Sequence, residues 1–139
     1  MMPLIDEVIV ARQAIKSYFH RRIRMIDKDI SYEMFQVLNV LWRKSEVNQQ
    51  EIANAVQKGK ASLTPLIDNL TRRKLVARME DSTDRRNNII SLTQDGKDFQ
   101  KKFEPIIQEF CAQFSAGLEE TTIRHLTSML AKMSKEIND

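Results

Sequence analysis

At 139 residues the chain has the size of one ordinary domain, enough to bury a core but short for two independent ones. With 42% hydrophobic and 29% charged residues and only 3 Gly and 3 Pro, its composition resembles a helix-rich soluble protein far more than a disordered or β-rich one. The formal charge of +3 hides an asymmetry, since residues 43–90 hold ten Lys or Arg against six Asp or Glu while the flanks hold twelve against thirteen, so the positive charge belongs to the middle third.

From Ile5 to Ile26 the apolar residues Ile5, Val8, Ile9, Ile15, Phe19, Ile23 and Ile26 recur at the spacing of one helix face, which predicts a long first helix. Ser31 with Glu33 starts a second helix through Phe35, Leu38, Leu41 and Trp42, ending near Lys44. Asn48 is a good N-cap for a short helix, Gln49 to Val56, whose inward residues are Ile52, Ala53 and Val56. Gly59 breaks the chain before a further helix from Lys60 to about Lys74, buried through Leu63, Leu66, Ile67 and Leu70. Two short helices around a tight turn make a helix-turn-helix.

Leu75–Met79 and Asn88–Leu92 read as strands of a hairpin whose charged tip runs from Glu80 to Asn87. Thr93 caps a long helix with Phe99, Phe103, Ile106, Ile107, Phe110 and Phe114 on one stripe, which Pro105 must kink. A last helix from Thr121 carries Ile123, Leu126, Leu130, Met133 and Ile137. The expected class is mostly α (α+β), a winged helix-turn-helix at 31–96 flanked by an N-terminal dimerisation helix at 1–30 and C-terminal dimerisation helices at 97–139. Leaving the flanking apolar stripes in water forfeits several kcal/mol at about 25 cal/mol per Å², so a second copy of the chain is their simplest cover.

Chemistry-bearing constellations are few. Cys111 is alone and reads as a buried small hydrophobe between Phe110 and Phe114, and His20 and His125 lie far apart, so neither disulfide nor metal site is expected. No Ser/His/Asp or Cys/His arrangement and no phosphate-cradling glycine loop is present, which argues against an enzyme and against a cofactor. No apolar run approaches the roughly 20 residues that cross a bilayer, and the N-terminal MMPLIDEVIVARQ has acids where a signal peptide is basic. A cytoplasmic chain without a membrane partner is expected.

The segment DSTDRRNNIISLTQDG, residues 81–96, resembles the wing signature of the MarR family, a D-x-R element at the hairpin tip followed by a strand and an LT-x-x-G helix start. Gln50-Glu51-Ile52-Ala53 and the stretch from Lys60 to Leu70 are similar to that family's positioning and recognition helices, and Leu63-Thr64-Pro65-Leu66 resembles its hydroperoxide-sensing branch. That likeness accommodates Pro65 inside a helix. Residues 1–30 hold no cysteine, so the thiol chemistry of that branch does not carry over. A second departure is Lys74, which stands where the family closes its recognition helix with glycine; it must adopt the cap conformation or the exit turn differs.

The resemblance implies a homodimeric regulator of double-stranded DNA, with a small aromatic or phenolic molecule as effector. Side chains off the buried face of the recognition helix supply the contacts: Ser62, Thr64 and Asn69, beside Pro65, for bases or nearby phosphates, and Lys58, Lys60, Arg72, Arg73 and Arg78 for phosphates. At the wing it implies that Arg86 reaches the minor groove, held by an ion pair to Asp84, with Arg85 as a second cation. Tyr32, Phe35 and Trp42 read as core packing before they read as effector-pocket lining, and His20, beside Arg21-Arg22, as a solvated basic face before a ligand contact. The competing reading is a winged-helix protein-interaction module that meets an acidic partner and does not bind DNA.

Overall fold

The computed structural model describes residues 1–84 and 86–138. In chain order it contains α1 (Met2–Ile26), α2 (Tyr32–Lys44), β1 (Glu46–Asn48), α3 (Gln49–Val56), α4 (Lys60–Arg72), β2 (Val76–Glu80), β3 (Asn88–Leu92), α5 (Gln94–Gln100), α6 (Glu104–Ser115) and α7 (Glu120–Asn138). These form two compact units, Met1–Glu104 and Pro105–Asp139.

The first unit is organised on α2, which buries Met34, Phe35, Val37, Leu38 and Leu41. It packs on α3 and α4, whose buried faces are Ile52, Ala53 and Val56 on one and Leu63, Ile67 and Leu70 on the other. Seven of these side chains are sealed from solvent altogether, each worth about 1.5–3 kcal/mol of transfer free energy. Of α1 only Phe19 and Ile23 are buried, while every residue from 1 to 14 is exposed.

Local hydrogen bonds set the helix ends. Ser31 Oγ accepts from the Met34 N–H at 3.0 Å, Asn48 Oδ1 accepts from those of Gln50 and Glu51 at 2.7 and 3.1 Å, and Thr93 Oγ accepts from that of Gly96 at 3.0 Å. Each satisfies a donor that the helix itself leaves orphaned. At the exit of α4, Lys74 sits in the left-handed region at φ 60°. Its N–H donates to Thr71 O at 2.9 Å and that of Leu75 to Leu70 O at 3.1 Å. This is a Schellman cap formed by a lysine in glycine's usual place, at a cost of about 1–2 kcal/mol.

Three antiparallel strands lie in the order β1-β3-β2. Ile90, with no exposed surface, pairs with Val47 on one side and Arg78 on the other. Two expectations are corrected here. The sheet has a third strand, β1, and the helix expected to run from Thr93 past Phe114 is two helices. Backbone N–H groups of Lys101, Lys102 and Phe103 bond three residues back, to Asp98, Phe99 and Gln100, so α5 tightens and stops. α6 then restarts with Pro105 in its first turn, where a residue without an N–H costs nothing.

In the second unit, α7 has no buried residue. Its apolar positions Ile123, Leu126, Leu130, Met133 and Ile137 alternate steps of three and four, the spacing of a helix seam. On α6 the rings of Phe110 and Phe114 stack at 5.6 Å. Cys111, expected to be buried, is exposed: one residue beyond Phe110 it is rotated by a full 100° from the stripe the two rings share.

Candidate nucleic-acid interface

The apolar face of α4 is fixed by Leu63, Ile67 and Leu70, so the opposite face of its first two turns is turned outward. Lys60, Ala61, Ser62, Thr64 and Pro65 are all exposed, and the helix continues through Pro65. The Thr64 hydroxyl donates to Lys60 O at 3.0 Å. Further along, Asn69 Oδ1 accepts from Arg72 Nη1 at 2.9 Å, and Arg78 of β2 pairs with Asp68 at 3.0 Å. Lys58 is half-buried in the turn before α4.

The wing tip is built from two carboxylate-closed turns. Asp81 Oδ1 accepts from the N–H and hydroxyl of Thr83 at 2.9 and 2.7 Å, and those bonds hold its carboxyl below the usual range. Asp84 Oδ1 accepts from the Arg86 backbone N–H at 2.9 Å, and Asp84 O from that of Asn87 at 3.0 Å. The expected guanidinium ion pair is therefore replaced by a backbone turn: Asp84 fixes where the Arg86 side chain departs and leaves its guanidinium exposed. Arg85 lies outside the described residues.

Between the first turn of α4, the start of α3 and the wing lies an open cavity of about 450 Å³. Gln49, Gln50, Lys60, Thr64, Asp84, Arg86, Asn87 and Asn88 line it. Two cations and several amide and hydroxyl groups, donors and acceptors both, converge there, the mixture that phosphate oxygens and base edges require. Gln49 was not among the expected site residues. It is buried, its Nε2 donating to Thr64 Oγ and its Oε1 accepting from Asn88 Nδ2, both at 3.5 Å. The legible sign was a glutamine in register with Ile52, Ala53 and Val56 on an otherwise apolar face.

Arg73 is not in this groove. Its Nη1 and Nη2 donate to the two carboxylate oxygens of Asp27 at 3.1 and 2.6 Å, and its guanidinium lies 5.6 Å from the centre of the Phe99 ring. The expected phosphate contact is corrected accordingly, because both Nη atoms are committed to the Asp27 carboxylate. The Arg73 hydrogen bonds hold the Asp27 carboxyl below its ordinary value against the opposing effect of burial.

Phe35 is buried at the centre of a ring cluster, 5.2 Å from Phe19, 5.9 Å from Trp42 and 5.8 Å from Phe103. Trp42 also donates its indole N–H to Gly96 O at 3.1 Å. Both are packing residues. Tyr32 is half-buried, which pushes its phenol up, and His20 is exposed on α1. Among the described residues no group of three or more His, Cys, Asp or Glu could hold a metal, and no helix is long and apolar enough to cross a membrane.

A family model described as MarR family matches residues 30–87, from the entry of α2 to the wing. The HTH-type transcriptional regulator SarZ of Staphylococcus epidermidis is 32% identical over 92 residues, 66% of this chain. The matched stretch spans 62% of that relative's length. Among solved structures, S. aureus MepR in its DNA-binding conformation superposes with a TM-score of 0.84 at 24% identity, covering 99% of this chain and 98% of that one. NadR in complex with 4-hydroxyphenylacetate gives 0.83 at 22% identity, covering 93% and 90%. These two structures share the fold described above. The helix-turn-helix and the wing tip thus lie inside the stretch that matches the MarR family.

Proposed function

We propose that the chain is a DNA-binding transcription regulator, acting in the cytoplasm as a homodimer on a pseudo-palindromic site. One observation carries the reading: the exposed face of α4 and the wing tip open on the same polar groove, with Lys60 on one side and Arg86 on the other. Residues 31–96 read DNA. Ser62, Thr64 and Asn69 meet bases or adjacent phosphates, with Gln49 holding Thr64; Lys58, Lys60, Arg72 and Arg78 meet phosphates; and Arg86 follows the minor groove. The flanking segments 1–30 and 97–139 hold two copies together through the exposed half of α1 and the seam of α7, setting the recognition helices roughly 34 Å apart. A small aromatic or phenolic effector modulates binding, by analogy with NadR and its 4-hydroxyphenylacetate.

Fluorescence anisotropy with fragments of the source genome tests this. Binding should weaken with salt at a log–log slope of several units and protect a two-fold symmetric footprint. Salt-independent binding, or none to any fragment, overturns it and favours a protein-interaction module.

A further inference from the structure

We infer that the Asp27–Arg73 pair is the joint that sets the tilt of α4, so that Arg73 is a positioning residue for DNA reading and not a phosphate contact. The inference rests on the proposed DNA binding, and its test separates the two.

Three segments converge at the C-terminus of α4. Asp27 is the C-cap residue of α1, its own N–H bonded to Ile23 O. Its carboxylate accepts both Arg73 bonds and a third from the Asp29 N–H at 3.0 Å. Arg73 is the C-cap residue of α4, its N–H bonded to Asn69 O. Phe99 of α5 lies against its guanidinium. One residue on, the Thr93 hydroxyl approaches Lys74 O at 2.6 Å. The pair is shielded, with side-chain exposures of 32% for Arg73 and 16% for Asp27, and 46 residues separate the partners, so it ties the end of α1 to the end of α4.

The reading face lies at the opposite end of that helix. Thirteen residues make a lever of about 20 Å, so a tilt of about 10° at the joint displaces the first turn by about 3 Å, the length of a hydrogen bond. Charge and geometry predict opposite signs for one substitution. Asp27→Asn removes a negative charge and frees a guanidinium, which on charge alone tightens DNA binding. As a joint, its loss weakens binding.

The experiment uses the 139-residue chain and a DNA fragment that the wild type binds, with Asp27→Asn, Arg73→Gln, Arg73→Lys and the double variant Asp27→Asn/Arg73→Gln. Each single variant should raise Kd about tenfold, within the usual range for coupled sites, and the double variant should be no worse than either parent. The salt slope should stay at the wild-type value, and Arg73→Lys should not restore binding, because an ammonium cannot reproduce the fork. Unchanged or tighter binding by Asp27→Asn overturns the inference, as does a slope reduced by about one in Arg73→Gln or rescue by Arg73→Lys. Hydrogen exchange on the free protein supplies a readout without DNA: the Arg73, Lys74 and Leu75 amides should exchange faster in Asp27→Asn, and unchanged exchange overturns the joint. A wild type that binds no fragment overturns the proposed function instead, and the joint is then decided by exchange alone.

Discussion

Gly96 offers the sharpest test of the packing. A Cβ built there overlaps the Leu75 carbonyl oxygen, far closer than van der Waals contact allows, and lies 3.0 Å from Leu92 Cδ2 and 3.1 Å from the Leu75 carbonyl carbon. The obstacle is backbone and cannot swing aside, so Gly96→Ala must push α5 off the exit of α4. That retreat strains the bonds from Thr93 N and Thr93 Oγ to Leu75 O, each 3.1 Å, and from the Trp42 indole to Gly96 O. Overpacking costs about 1–3 kcal/mol and each weakened hydrogen bond about 0.5–1.5 kcal/mol. Alanine returns only about 0.4–1 kcal/mol by restricting the unfolded chain, so the net loss should be about 3 kcal/mol. The same substitution elsewhere provides the scale. Gly59 has nothing within 4 Å and no positive φ, so Gly59→Ala should change little; Gly117, at φ +78°, should lose about 1 kcal/mol to strain alone. Urea unfolding followed by circular dichroism, at one protein concentration because the proposed dimerisation would add to stability, ranks the three. A Gly96→Ala protein within about 0.5 kcal/mol of wild type refutes the close approach.

Arg86→Ala should weaken DNA binding and reduce the salt slope by about one while leaving the melting temperature unchanged; an unaltered slope removes Arg86 from the interface. Acid should act through Asp27. Because Arg73 lowers its folded pKa, its contribution is complete above the unfolded value of about 3.9 and disappears as pH falls through the lower folded value. The urea midpoint of wild type should therefore drop more steeply between pH 5 and acid than that of Asp27→Asn, and parallel curves refute the linkage. Leu130→Glu, in the middle of the α7 seam, should give a monomer by sedimentation velocity, since a buried carboxylate without a partner is costly; an undissociated dimer shows that the seam lies elsewhere.

How far the sequence alone reached follows from the range of the interactions involved. Ser31, Asn48 and Thr93 were legible as caps because their partners lie within three residues, and the bounds of α3 were readable from Asn48 and the Ile52–Ala53–Val56 spacing. β1 was not, since three residues with one buried valine have no period to detect. The break before α6 was half legible. Pro105 announced a disturbance, but its form depended on the three-residue bonds that tighten the chain after Phe99. In the candidate site, the Asp84–Arg86 spacing pointed to the right pair and the wrong atoms: a carboxylate two residues before an amide closes a backbone turn more readily than it reaches a side chain. Arg73 went astray for a non-local reason. Its charge is visible in the sequence, whereas its partner is chosen only when the ends of α1 and α4 meet.

Trp42 is the single tryptophan of the chain, and its indole bridges from α2 to the first turn of α5 while its ring lies 5.7 Å from Phe103. The protein thus carries a native optical gauge at the seam between its central helix and the helix that follows the wing. Any event that slides α5 along α2 must alter the polarity around that one chromophore. Its emission maximum, read without labels, reports that movement in solution.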